Sequence, residues 1–165
     1  MKICYQFLVL LFATIIFSTA SADRFLQKKH EVIIAINNSY NNATKIINQF
    51  NNLIQKQRHA QQKINKLRPL MVADNTSYCY KSLLQATQKN IKLMSSNKQQ
   101  LIRKKLLLIN LRKLVYQSYD IFQLNKNIES LNRYTQQTNL LIERTNELDR
   151  LWVKGVKNSC SVYLK

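Results

Sequence analysis

Glu143 and Glu147 stand four residues apart, a spacing that puts two carboxylates on one face of a helix. Such a pair could share acid and base roles if its surroundings pushed the two pKa values apart. The same segment carries Arg144, Asp149 and Arg150, so the pair reads as a solvated helix face of mixed charge. His30 and His59 are the only histidines, and neither has a second His or a Cys at ligand spacing, so no metal site is expected. The only glycine is Gly155. A P-loop, a dinucleotide loop and a G-x-S-x-G elbow all need glycine for a tight turn or a close backbone approach. The chain is therefore expected to be no enzyme, with no cofactor and no evident small-molecule substrate.

Cationic side chains are the chemistry the sequence does offer. The chain holds 26 Lys+Arg against 8 Asp+Glu, a formal charge of +18. An excess of this size costs self-repulsion and favours anionic partners. The densest groups are Lys56, Arg58, Lys63, Lys66 and Arg68, followed by Arg103, Lys104, Lys105, Arg112 and Lys113. No acids interleave to neutralise either group, which points to binding of a polyanion. The competing reading is a surface kept soluble by charge. Aromatic residues are sparse near both groups, so base stacking has little support and nucleic acid is disfavoured.

The start of the chain has the three parts of a secretory signal. Lys2 is the positive region, Phe7 to Phe17 is an apolar core, and Ala20-Ser-Ala22 is a small-x-small cleavage pattern. A bilayer-spanning helix wants about 20 apolar residues, so residues 1–22 read as a cleaved signal peptide. Stable membrane insertion is not expected of the rest. The expected location is extracellular, which makes extracellular polyanions such as sulfated glycans, or a protein partner, the expected ligands.

Cys4 would leave with the signal, and the remaining pair, Cys79 and Cys160, would form one disulfide in an oxidising compartment. Asn37, Asn42 and Asn75 each begin an Asn-x-Ser/Thr acceptor for N-glycosylation. Asn, Ser and Thr are abundant here, so such triplets also arise by chance. Asn75 is the best placed, because it follows the proline and should lie in a loop.

These groups need elements to position them. With one Gly and one Pro, the chain has almost none of the turn residues that sheets and loop-rich folds require, whereas Leu, Ile, Lys and Gln tolerate helix well. The expected fold is all-α: a long antiparallel, coiled-coil-like three-helix bundle in a single domain over residues 23–165. Its helices are expected near 24–67, 77–118 and 120–154. Ile33, Ile36, Tyr40, Ala43, Ile47, Phe50 and Ile54 follow a 3-4 spacing that weakens across Gln55 to Lys63. Pro69 is expected to end this first helix, because it biases Arg68 away from α geometry.

From Tyr78 to Lys154 neither Gly nor Pro occurs, yet a Cys79–Cys160 bridge needs the chain to go out and return once. The midpoint falls between Tyr119 and Asp120, and Asp120-Ile-Phe-Gln123 has a capping-box pattern. The turn is placed at 118–120, with 125–127 as the alternative. Leu124, Ile128, Leu131, Tyr134, Thr138, Leu141, Thr145, Leu148 and Trp152 then form the third seam, with Gly155 at its C′ position. Ile47, Phe50, Leu111 and Leu141 are expected to be buried.

Leu101 to Tyr116 carries two apolar stripes. Leu107, Leu108, Leu111, Leu114 and Val115 form one, and Ile102, Leu106 and Ile109 the other. Both are expected to pack against neighbouring helices. A membrane-lytic helix gathers its apolar residues on one face, and this split argues against that role.

In composition the chain is similar to small helical proteins of gland secretions such as saliva, venom or seminal fluid, which are rich in Asn, Lys and Gln and carry one or two disulfides. The similarity transfers no functional residue. The usual four-helix cytokine topology with long crossovers does not match. The expected role is binding, with a membrane-active cationic protein and a self-associating structural component of a secretion as alternatives.

Overall fold

A computed structural model describes the backbone of residues 2–73 and 77–160, and the side chains of residues 21–66 and 81–155. Three helices pack together: α1 (Lys2–Ala73), α2 (Ser77–Gln117) and α3 (Ile121–Cys160). No strand occurs among the described residues. The middle helix α2 packs along both neighbours, whereas α1 and α3 touch in fewer places.

The packing follows a seven-residue period in every helix. Ile36, Ala43, Phe50, Gln57 and Ile64 are buried in α1, and Thr87, Met94, Leu101, Leu108 and Val115 in α2. In α3 the series is Leu124, Leu131, Thr138, Thr145 and Trp152. A strict heptad keeps one seam facing its partners when helices wind slightly around each other. Three such seams meet on the axis of the bundle.

The core changes character along that axis. Near the α2–α3 reversal it is apolar, with Val32 and Ile36 meeting Leu108, Leu111, Val115, Leu124, Leu131 and Tyr134. A second cluster joins Ala43, Ile46 and Phe50 to Leu101 and Leu141. Further away it is mixed, with Ile54, Ile64, Leu83 and Met94 buried among polar groups. Asn97 Nδ2 donates to Thr145 Oγ1 at 3.0 Å, Asn90 Nδ2 to the Leu148 carbonyl at 2.8 Å, and Trp152 Nε1 to Thr87 Oγ1 at 2.9 Å. Gln57 Nε2 donates to Asp149 Oδ1 at 3.4 Å. The stretch where the apolar spacing of α1 lapses is thus where Gln57, fully buried, takes a seam position.

The reversal occupies Ser118 to Asp120, and residues 125–127 lie inside α3. Asp120 is the N-cap of α3: its Oδ1 accepts from the Gln123 N–H at 2.8 Å, and its carbonyl accepts from the Leu124 N–H at 3.2 Å. The Gln123 side chain returns to the Tyr119 N–H at 3.4 Å, one residue before the position a capping box would use. α1 seals the other side of the turn. Lys29 Nζ donates to the Tyr116 and Ser118 carbonyls at 2.7 and 2.9 Å. A cation there satisfies carbonyls that the end of α2 leaves unpaired and opposes its negative dipole end.

Several expectations change. First, Pro69 does not end α1, which continues to Ala73. So close to a helix end the missing N–H removes one donor from a ladder that is already finishing, and Leu70-Met-Val-Ala73 offers no turn former. At its start, α1 extends back to Lys2, well before the expected residue 24. Second, Gly155 lies inside α3, which runs on to Cys160. It has no left-handed backbone, and a Cβ there would meet open space.

Third, the seam of α1 runs through Val32 and Ile46, leaving Ile33, Tyr40 and Ile47 packed at its flank. Fourth, Leu107 and Leu114 of the first α2 stripe, and Leu106 of the second, are exposed. Only two seams per helix reach the centre of a three-helix bundle, and these leucines lie off both. The side chains of Cys79, Cys160 and Arg68, and all of Asn75, lie outside the described residues.

Leu101 and Leu108 are almost inaccessible, whereas Leu107 is 60% exposed. Leu101→Ala and Leu108→Ala should each destabilise by about 2–5 kcal/mol, and Leu107→Ala by less than about 1 kcal/mol. Urea unfolding followed by circular dichroism checks this contrast. Equal midpoints for the three variants would mean that the α2 seam is misplaced by one position.

Candidate functional site

The basic residues singled out from sequence divide by what they touch. Lys56 Nζ lies 3.8 Å from Asp149 Oδ2 and 6.0 Å from the centre of the Trp152 ring. Lys105 Nζ sits 4.2 Å over the Tyr40 ring, and Arg112 Nη1 donates to Asn37 Oδ1 at 3.3 Å. Lys104 Nζ donates to Gln137 Oε1. These four side chains hold helices together as well as carrying charge. Arg58, Lys63, Lys66, Arg103 and Lys113 are exposed and make no ion pair or hydrogen bond among the described residues.

The two groups do not merge. Lys105 and Arg112 face Tyr40 and Asn37, so the α2 group sits opposite the early part of α1. Arg58 lies about 20 residues further along α1, or roughly 30 Å at 1.5 Å per residue. The α1 group is itself divided. Lys63 is one heptad from Lys56, which faces α3, whereas Arg58 is three heptads from Asn37, which faces α2. The antiparallel register brings Lys81 and Lys89 of α2 to the level of Lys66 and Arg58. These lysines stand alone in the sequence, and only the register of the helices sets their level along the bundle.

Few carboxylates oppose this charge. Among the described residues three ion pairs form: Lys56–Asp149, Arg133–Glu129 and Arg150–Glu147. Arg150 donates from Nε and Nη2 to Glu147 at 2.8 Å each, and this fork holds the Glu147 carboxyl below its ordinary value. Glu143 is exposed beside it, and the pair has the solvated, mixed-charge setting of a surface face. His30 and His59 are both exposed. No cluster of three or more His, Cys, Asp or Glu that could hold a metal occurs among the described residues. Of the acceptor asparagines, Asn42 is exposed, and Asn37 is half-buried with its Oδ1 engaged by Arg112.

A feature the sequence did not disclose is the cleft between α2 and α3. It is lined by Leu107, Leu111 and Leu114 on one side and Tyr134 on the other, with Lys104 and Arg133 at its edges. The Tyr134 hydroxyl, and the Thr138 Oγ1 one turn along α3, are buried without a hydrogen-bond partner. Burial pushes the Tyr134 phenol above its ordinary value, and the nearby Thr138 hydroxyl opposes that rise without reaching hydrogen-bond geometry.

No family model matches the chain, and no curated protein or solved structure matches it at a significant level. Any functional reading therefore rests on the surface itself.

The Tyr134 hydroxyl gives a pH-dependent prediction. A phenol whose pKa is raised on folding by burial leaves stability independent of pH while both states keep it neutral. Stability then falls as the pH rises through the ordinary phenol range, because the unfolded phenol ionises first. Tyr134→Phe removes an unpaired buried group, so it should leave stability near neutral pH unchanged or raise it by about 1 kcal/mol. It should also flatten part of the fall in melting temperature between about pH 9 and 11. Thermal melts of both proteins across that range check it, and a large loss at neutral pH would reveal a partner for the hydroxyl.

Proposed function

We propose that this is an exported, non-enzymatic binding protein whose basic helical surface holds extracellular polyanions such as sulfated glycans, as a component of a secretion. The observation that carries the reading is the set of exposed cations without internal partners: Arg58, Lys63, Lys66, Arg103 and Lys113. With 8 carboxylates for 26 cations, the chain cannot neutralise them itself. A long rod with separated cationic patches suits an extended polymer better than a compact ligand, because each patch adds attraction along the same chain.

Export is also part of the proposal, with residues 1–22 as a cleaved signal and glycosylation at Asn75, Asn42 or Asn37. So is a Cys79–Cys160 disulfide. Cys79 lies eight residues before Thr87, and Cys160 eight residues after Trp152. The antiparallel register that joins Thr87 to Trp152 would therefore carry the two cysteines to one level. Peptide mapping of the exported protein without reductant should recover both in one cross-linked fragment. Two separate thiol-containing peptides would end this part of the proposal.

Binding is tested by retention on a sulfated-glycan column across a salt gradient. Arg103→Glu/Lys113→Glu and Arg58→Glu/Lys63→Glu/Lys66→Glu alter side chains that support no described contact, so folding should persist. Each variant should elute at lower salt than the parent. Attraction between exposed charges is largely screened once the Debye length falls to about 8 Å or less. Elution of the parent and both variants at the same low salt would mean that the charge serves solubility alone.

A further inference from the structure

We infer that the reversal end of the bundle is a docking surface for an anionic lipid bilayer. Tyr119 is 78% exposed and Phe122 is 64% exposed, and Tyr116, Ile121 and Leu114 are each about half exposed or more. Large apolar side chains gathered this closely at one end of a soluble bundle leave apolar area in water that a partner would cover. They are not needed for the turn, because Asp120, Gln123, Ser118 and Lys29 already hold it.

The shape and the composition select the partner. The rings stand around two open depressions at the end of the bundle, a face that meets a broad surface more readily than it encloses a peptide. Tyrosine and phenylalanine flanked by lysine is the composition of a membrane–water interface, with rings at headgroup depth and ammonium groups on lipid phosphates and carboxylates. Lys126 Nζ lies 4.4 Å over the Phe122 ring, and Lys126 shares a depression with Leu114 and Tyr119. On the other side Tyr119 and Ile121 adjoin Arg24, Phe25 and Lys28.

Charge at this end favours anionic lipid. Asp120 lies here with Oδ1 committed to its capping bond, and Asp23 stands against Arg24, Lys28 and Lys126. Lysines near an anionic surface each add attraction that fades within a Debye length.

The experiment uses protein purified after export and leader removal, mixed with phosphatidylserine-rich vesicles or with vesicles of phosphatidylcholine alone, and separated by flotation. The parent should float with the anionic vesicles and not with the neutral ones. Tyr119→Ser/Phe122→Ser should weaken that association by about tenfold or more while keeping its helicity. Leu151→Ser, which removes an exposed leucine remote from the turn, should float like the parent.

The same three proteins are run on the sulfated-glycan column, where all should elute together, because the polyanion reading uses other residues. Failure of the parent to float, or equal flotation of the turn variant, overturns the inference and leaves glycan binding standing. A parent that sediments as a dimer, and that Tyr119→Ser/Phe122→Ser turns into a monomer without changing flotation, would assign the surface to a second copy instead.

Discussion

Everything in this molecule depends on burying three seven-residue seams against one another. Individual helices of 40 residues with so many Lys, Asn and Gln would be only marginally stable in water, because most helical stability in proteins comes from packing an amphipathic face. The fifteen heptad positions from Ile36 to Trp152 provide that packing. Once they are in register the bundle has little freedom left, since slipping one helix by a turn would move the buried positions of all three.

The polar groups within the core make such a slip costly. Asn90, Asn97, Thr87 and Thr145 could not move to a new level without losing the hydrogen bonds that join α2 to α3. A polar residue at a seam position reduces stability while specifying alignment, as a buried Asn does in coiled coils. The division of labour runs along the rod. Apolar clusters near the reversal stabilise, and hydrogen bonds further away fix which levels of α2 and α3 face each other.

The surface is what the seams leave over. Three helices have room at their centre for two narrow stripes each, so the leucine-rich stretch of α2 cannot be buried entirely. Leu106, Leu107 and Leu114 stay in water, Leu107 and Leu114 at the α2–α3 cleft, and the reversal adds Tyr119 and Phe122. Exposed apolar groups and unneutralised cations thus occur side by side on one folded scaffold.

Composition and spacing alone determined the helical class, whereas the number of helices was read with the added expectation that Cys79 and Cys160 meet. One Gly and one Pro exclude most turns, and the 3-4 recurrence of apolar residues needs no tertiary information. Burial of Phe50, Leu111 and Leu141 also follows from that recurrence. Tertiary structure decided the rest. Whether Ile46 or Ile47, and Leu108 or Leu107, turns to the axis depends on where the neighbouring helices stand, because adjacent residues differ by only 100° around a helix. Pro69 and Gly155 read as helix ends by local preference, yet continuation costs little where a ladder is finishing or a glycine is exposed. Which cations are free could not be read from the chain at all. Lys105 and Arg112 look like their neighbours Arg103 and Lys113 until α1 places Tyr40 and Asn37 beside them.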